Sequence, residues 1–241
     1  IGMIIYGRRS IKEALQNNLD IQKVFVKKNA KNLEKIIFEL NRKKIPISFV
    51  PLVKLDKLTK GNHQGVVCQV SPIKTKNLEN LDEFLQNSTI VKILILDGLT
   101  DTRNFGSIIR NAECFGVDGI IISKTGSAPI NDEVVKTSSG AIFNTQIFKV
   151  DHLIDAIFLL KDQKFTILGA DEKSMKSLRE IKIEKKTAII LGSEGKGISY
   201  SLLKNCDERF KIPITGKIES LNVAVASGII LYDISKAFRE F

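Results

Sequence analysis

The residues best suited to chemistry lie in two polar loops in the last third of the chain. A glycine-rich turn, residues 191–197, follows an apolar strand and contains a single acid, Glu194. A second loop reaches Ser220 and Asn222, where a long apolar helix begins. Two tight loops of this kind place many backbone amides and carbonyls around one small space, which suits a ligand held mainly by main chain. An acid flanked by glycines favours a ligand with positive charge.

A third polar segment, residues 96–110, lies far upstream. It reads as the end of a strand, a polar loop, and a helix that begins near Asn104 or Gly106. Asn104 is predicted to cap that helix, since asparagine is a favoured N-cap residue. Arg110 would lie one to two turns inside it, as a surface or paired residue. Its guanidinium could instead grip phosphate or ribose oxygens with its fork of donors.

Each of these segments also has an ordinary structural explanation. The glycine turn could simply connect a strand to a helix, and Ser220 and Asn222 could cap the last helix. The turn does not match G-x-x-x-x-G-K-S/T, and no G-x-G-x-x-G follows the first strand of the second segment, which argues against an ATPase and a dehydrogenase. Convergence of a cation, an acid, a hydroxyl and an amide from separate loops is rarer than any one of them.

The second segment of the chain alternates continuous apolar runs with helical patterns. This predicts an α/β fold with a mostly parallel sheet covered on both faces. The predicted strands are 92–97, 119–122, 145–150, 165–170, 187–191 and 209–212. The last helix, 222–238, is apolar on nearly every side, so we expect it to be deeply buried and to complete a subunit interface.

The first segment predicts a small αβ sandwich of about 70 residues. Its predicted strands are 4–6, 24–26, 47–50 and 65–70, and its predicted helices are 10–15, 32–42 and 51–58. The polar stretch that follows suggests a linker with a short helical pattern at 81–85. The predicted domains are therefore 1–72 and 90–241, joined by a linker at 73–89.

The positive charge of the chain is concentrated in its first third. Residues 1–72 contain 14 Lys and Arg against 5 Asp and Glu, and the remaining 169 residues contain 23 against 22. A basic module beside a nearly neutral one predicts that the first binds a polyanion such as RNA and the second binds something small. The alternative is a solvated, lysine-rich surface from a genome of biased composition.

The cysteines and histidines argue against a metal centre. Cys68, Cys114 and Cys206 show no paired spacing and are predicted to be small core residues. With only two histidines, no zinc site is expected. No apolar run reaches the roughly 18 residues of a membrane span. A reducing compartment, the cytoplasm, is expected.

Together, the polar segments resemble the three motifs of the SpoU (TrmH-type) class of RNA ribose 2'-O-methyltransferases. Residues 90–241 are similar to the knotted SPOUT fold, in which the C-terminal chain threads through a loop. Residues 3–72 resemble the ribosomal-protein-like substrate domain of bacterial large-subunit rRNA enzymes. That resemblance is carried by residues 5–7 with 11–15, and by 63–65.

The resemblance implies methyl transfer from S-adenosyl-L-methionine to a ribose 2'-hydroxyl, of a guanosine in large-subunit rRNA. It also implies a homodimer whose active site is built by two subunits, with the basic domain holding the RNA. Five residues fall on positions that serve catalysis in the class: Asn104, Arg110, Glu194, Ser220 and Asn222. Three fall on positions that contact the cofactor, mainly by backbone: Gly192, Ile212 and Leu221.

Departures from the class pattern are mild. Thr102, Phe105 and Ile214 stand where the class often has proline, leucine and methionine. Two other functions compete with the rRNA assignment. A tRNA ribose methyltransferase would often lack the N-terminal domain. A non-catalytic RNA-binding or ribosome-assembly protein predicts damaged motif residues, and none is seen.

Overall fold

The computed structural model describes residues 2–86, 91–218 and 220–238. Residues 87–89 of the predicted linker, residue 90, where the second predicted domain begins, residue 219 and the chain ends beyond these ranges lie outside the described residues. The chain divides into two compact units. Unit 1 contains the chain up to residue 74 together with 130–144, and unit 2 contains the rest.

Unit 1 is a four-stranded sheet with helices packed on it. Its N-terminal elements are β1 (Met3–Tyr6), α1 (Arg8–Gln16), β2 (Ile21–Lys27), α2 (Glu34–Arg42), β3 (Ile47–Val50), α3 (Leu52–Leu58) and β4 (Val66–Val70). The strand order is β1-β4-β2-β3, in which only β2 and β3 are parallel. The predicted αβ alternation is therefore confirmed, and β3 is an edge strand.

A tight turn at His63-Gln64-Gly65 directs the chain into β4. Gln64 and Gly65 both have positive φ, at 51° and 83°. His63 Nδ1 accepts a hydrogen bond from Gly65 N at 3.0 Å, and its Nε2 lies 3.1 Å from Asp56 Oδ1. Because Nδ1 is an acceptor, Nε2 carries the N–H, which donates a hydrogen bond to the carboxylate. The turn thus fixes the histidine tautomer and the entry into β4.

Unit 1 also contains α6 (Asp132–Thr137), which packs against β1. Lys136 of α6 places its Nζ 5.6 Å from the centre of the Tyr6 ring. Burial and the Asp132 carboxylate, which also hydrogen-bonds the tyrosine, raise the pKa of Tyr6. These contacts attach the second stretch of unit 1 to its sheet.

Unit 2 contains a six-stranded sheet. Its elements are α4 (Leu78–Gln86), β5 (Val91–Asp97), α5 (Thr102–Cys114), β6 (Gly119–Ser123), β7 (Ile147–Val150), α7 (Leu153–Asp162), β8 (Thr166–Ala170), β9 (Lys186–Gly192), α8 (Tyr200–Leu203), β10 (Glu208–Phe210) and α9 (Val223–Phe238). The order is β10-β8-β9-β5-β6-β7, and every neighbouring pair is parallel. The central strands are buried along their length, which confirms the predicted parallel sheet.

Three local expectations differ from the structure. In the stretch predicted as a linker, α4 buries Leu81 and Leu85 completely in the core of unit 2. The prediction that the last strand reaches residue 212 is wrong, because β10 ends at Phe210. The prediction that all three cysteines are core residues is wrong for Cys114, which is exposed at the end of α5. Burial raises the pKa of the Cys68 thiol to about 12.

The domain limits at 72 and 90 stay a prediction. Over the described ranges, no helix is both long enough and apolar enough to cross a membrane.

Candidate active site

The predicted site residues lie mainly at one edge of the parallel sheet of unit 2. Carboxyl ends of parallel strands meet at the same edge, and the loops that follow them form the usual ligand crevice. Here β5 leads into α5, β9 leads into the glycine turn, and β10 leads into the loop before α9. The three polar segments of the sequence are therefore placed at this edge by the strand order.

The glycine turn folds back on itself directly after β9. Gly197 N donates to Ser193 O at 2.9 Å, and Gly195 and Gly197 have positive φ. A side chain at Gly192 would place its Cβ 2.0 Å from the carbonyl carbon of Gly197. The turn can therefore close only over a residue without Cβ at position 192.

Glu194 joins the glycine turn to both helices of the site. Its Oε1 accepts hydrogen bonds from Asn104 Nδ2 at 3.2 Å, Asn222 Nδ2 at 2.7 Å and Val223 N at 3.3 Å. Asn222 Nδ2 also donates to Asn104 Oδ1 at 3.0 Å. Three of the five predicted catalytic residues thus meet around one carboxylate oxygen, although they are up to 118 positions apart.

Asn104 and Asn222 differ in whether they cap a helix. The prediction that Asn104 caps α5 is wrong, because Asp101 is the N-cap and accepts from Asn104 N at 2.7 Å. The Asn104 side chain is thereby free to reach Glu194. Asn222 has both roles: its Oδ1 accepts from Ala224 N and Val225 N at 3.0 and 3.3 Å, which caps α9.

Arg110 and Ser220 are not brought into this cluster. Both are exposed, and within the described chain neither forms a hydrogen bond or an ion pair. Arg110 lies six positions beyond Asn104, which is between one and two helical turns, so the two side chains leave α5 on different faces. A single chain therefore presents the Arg110 guanidinium to solvent.

A cleft of about 530 Å³ runs between α5 and α9 beside the cluster. Asn111 fixes its floor, since its Nδ2 donates to Ala224 O and to Ser227 Oγ, both at 2.9 Å. The residues that line the cleft are Asn104, Ser107, Asn111, Asn222, Ala224, Val225, Gly228 and Ile229.

Sequence reasoning missed Asn111 and Ser227. A signal was present, because Asn104, Ser107 and Asn111 follow one another at spacings of three and four and so share one helix face.

The loop before α9 leaves much of its main chain free. Among the described residues from 212 to 221, no backbone N–H donates a hydrogen bond within the chain. Ile218 is 76% exposed, and Ile214 and Leu221 are also exposed, whereas Gly192 and Ile212 are half-buried. The loop therefore combines free main-chain donors with apolar side chains, the kind of lining found in small-molecule sites.

No metal centre is seen in the part of the chain that the structure describes, where no three His, Cys, Asp or Glu side chains converge. A basic cleft of about 630 Å³ lies at the opposite edge of the sheet, where β8 and β9 begin. It contains none of the predicted site residues.

Comparison with known proteins identifies the family. Residues 92–232 match the SpoU rRNA Methylase family, and residues 4–76 match the family described as RNA 2'-O ribose methyltransferase substrate binding. The chain belongs to the SpoU rRNA methylase family. It is thus an RNA 2'-O-ribose methyltransferase of the TrmH/SpoU family, as predicted.

Relatives match over nearly the whole chain of this family member. A protein of Staphylococcus aureus strain COL, assigned to the TrmH family of tRNA/rRNA methyltransferases, is 34% identical over 96% of this chain and 94% of its own. A protein of Staphylococcus epidermidis assigned to the same family is 35% identical, with the same coverage.

Solved structures share the fold. An AdoMet-bound rRNA methyltransferase from Sinorhizobium meliloti has a TM-score of 0.82 at 22% identity, over 98% of this chain and 87% of its own. The SpoU methyltransferase AviRb from Streptomyces viridochromogenes, in complex with AdoMet, has a TM-score of 0.84 at 23% identity, over 99% and 91%. The A. aeolicus TrmH/SpoU tRNA modifying enzyme has a TM-score of 0.57 at 28% identity, over 68% and 83%.

The close packing at Gly192 gives a stability prediction. Gly192→Ala should lower the free energy of unfolding by about 1–3 kcal/mol, as overpacking does, because the new methyl forces the turn open. Gly216→Ala is the matched control, since its Cβ would meet nothing within 4 Å, and should change stability by less than about 0.5 kcal/mol. Urea denaturation of both variants measures the difference. Equal effects would show that the turn does not close over position 192.

Proposed function

We propose that this chain binds S-adenosyl-L-methionine and methylates the 2'-hydroxyl of a guanosine in large-subunit rRNA. The observation that carries this proposal is the meeting of Asn104, Glu194 and Asn222 beside a loop with free main chain. The N-terminal match to a substrate-binding family and the basic charge of residues 1–72 support RNA as the partner. We propose that this chain shares its substrate with RlmB, the bacterial large-subunit rRNA guanosine 2'-O-methyltransferase.

The residues present fit S-adenosyl-L-methionine. Gly192, Ile212 and Leu221 would hold it, with backbone groups of the loop before α9 directed to the adenine and apolar side chains against its faces. When bound, the cofactor supplies an electrophilic methyl group on a sulfonium. The glycine turn, closed over Gly192, would shape one wall of that site.

The cluster around Glu194 would orient the site. Its three donors hold the turn after β9 against α5 and α9, so the loop between β10 and α9 is anchored at its end. Ser220, exposed in that loop, is free to contact the ribose. Methyl transfer is an in-line displacement, so alignment of the reacting atoms dominates the rate.

Arg110 is proposed to act on the ribose hydroxyl, which must lose its proton near the transition state. An arginine has a pKa above roughly 12 and is a reluctant base. Stabilising the forming alkoxide by charge is the physically easier role. The lack of an acid partner in the described chain leaves its guanidinium available for either role.

The exposed face of the last helix supports a homodimer. The prediction that this helix is buried on nearly every side is wrong for the single chain. Val225, Ile229 and Tyr232, spaced four and three apart, form an exposed apolar stripe along α9 beside the cleft. We propose that a second subunit covers this stripe and that the site is completed by both chains.

The SPOUT knot is also proposed. It is supported by the path of α9, which follows the edge strand β10 yet packs against α5 and β9. An rRNA substrate rather than a tRNA substrate is supported by the share of this chain that each solved structure covers. The S. meliloti rRNA enzyme covers 98% of this chain, and the A. aeolicus tRNA enzyme covers 68%. The names of the staphylococcal relatives include both RNAs, so tRNA is the second candidate.

The substrate is tested by methyl transfer from labelled S-adenosyl-L-methionine to unmodified rRNA and tRNA transcripts, with the product nucleoside identified by mass spectrometry. We expect 2'-O-methylguanosine in rRNA only. Label in tRNA alone would make this chain a tRNA enzyme. Absence of cofactor binding would support the non-catalytic assembly protein.

Arg110→Ala should lower the rate of methyl transfer at least about 100-fold, as loss of a transition-state donor does, with cofactor affinity within about twofold. Arg179→Ala removes an exposed arginine of the same unit, whose nearest acid is 3.9 Å away, and should leave both unchanged. Single-turnover kinetics and calorimetric titration measure the two quantities. If Arg110→Ala lost both methyl transfer and cofactor binding, the role of Arg110 would be structural.

Ile229→Glu should convert the dimer into an inactive monomer, because a charge at the centre of the apolar stripe cannot be desolvated. Phe158→Glu, at an exposed phenylalanine of α7, is the control and should stay dimeric. Sedimentation velocity measures the oligomeric state of both variants. A fully active monomer would contradict the two-subunit site.

A further inference from the structure

Residues 49–54 of unit 1 form a largely exposed segment that the functions above leave unexplained. Phe49 is 54% exposed on the edge strand β3, Val50 is half-buried, and Pro51, Leu52 and Val53 are exposed after it. Single apolar residues at a surface are ordinary, but a consecutive run of this kind is unfavourable unless it binds something. We call it the β3 apolar segment.

Two lysines without acid partners flank the β3 apolar segment. Lys28, directly after β2, donates its backbone N–H to Val50 O at 2.9 Å. Lys54 ends the segment itself. Within the described chain, neither of these two ammonium groups forms an ion pair or a side-chain hydrogen bond. The segment therefore presents apolar surface beside free positive charge.

Acidic side chains do not neutralise this surface. Between residues 21 and 60 the sequence has 11 Lys and Arg but only three acids. The nearest acid in sequence, Asp56, accepts the hydrogen bond of His63 at 3.1 Å. A protein partner would need a strongly acidic face to match this charge, whereas a nucleic acid supplies phosphates and flat apolar bases together.

We propose that the β3 apolar segment binds an unpaired stretch of the RNA substrate, with a base stacked on the Phe49 ring and phosphates beside Lys28 and Lys54. This rests on the proposed function, in which RNA is the substrate. Aromatic side chains read RNA mainly where bases are splayed out of a helix, since paired bases have no free face. The segment would thus select loops or single strands over duplex.

The test is binding of the full chain to a labelled single-stranded oligoribonucleotide and to a duplex of the same length. Phe49→Ala should weaken single-strand binding about tenfold, the effect of losing one stacked base, and change duplex binding less than twofold. Phe38→Ala, at a phenylalanine of α2 that is 67% exposed in the same unit, should change neither.

Two further substitutions separate stacking from folding. Phe49→Tyr keeps a ring and should bind as the unchanged chain does, whereas Phe49→Leu keeps apolar volume and should lose about as much as Phe49→Ala. The double change Lys28→Gln with Lys54→Gln should reduce the slope of log affinity against log salt by about 1.4, because each phosphate contact to a single strand contributes about 0.7.

The proposal would be overturned if Phe49→Ala weakened single-strand and duplex binding equally, or if Phe49→Leu bound RNA as the unchanged chain does. Unchanged RNA binding by the variants with altered sedimentation would also overturn it, since the segment would then be a protein interface. Cofactor binding is measured on the same variants. If the unchanged chain does not bind S-adenosyl-L-methionine, the proposed function fails, but the result for base stacking on Phe49 still stands. Failure of the proposed function and failure of the stacking proposal are therefore distinguishable.

Discussion

One carboxylate oxygen holds together the segments on which the proposed site depends. Glu194 Oε1 accepts donors from α5, from the residue before α9, and from the first backbone N–H of α9. Hydrogen bonds to an ionised acceptor are about twice as strong as neutral ones, so this arrangement favours one position of the turn. The cleft between α5 and α9 and the anchored end of the loop before α9 follow from it. Gly192 contributes the close approach that lets the turn reach both helices.

The parallel sheet could be predicted because its strands are buried on both faces. Such strands are continuous apolar runs, and the runs at β5 and β9 carry that signal along almost their whole length. The helix α4 was harder to place, because its two buried leucines are surrounded by polar residues that are typical of a linker. Whether a short amphipathic helix packs or stays free depends on partners that are distant in sequence.

The site could be predicted only in part, for a related reason. Asp101 and Asn104 are both good N-cap residues three positions apart, and local sequence does not decide between them. The choice matters because the residue that is not the cap is free to reach Glu194, 90 positions away. The resemblance marked both asparagines and the acid, but not their hydrogen bonds. The proposed roles of Arg110 and Ser220 rest on the resemblance alone. Both side chains are exposed, as is expected of groups that contact a substrate or a second subunit.

We propose that Glu194 acts as a hydrogen-bond acceptor rather than as a charge that attracts the sulfonium. Calorimetric titration of S-adenosyl-L-methionine into Glu194→Ala and Glu194→Gln tests it, with Glu172→Ala, an exposed acid of the same unit, as control. A glutamine oxygen can accept from the same donors. We expect at least a tenfold loss of affinity for Glu194→Ala and less than about threefold for Glu194→Gln, since only the first removes the acceptor. Unchanged affinity in Glu194→Ala, or equal losses in both, would contradict it.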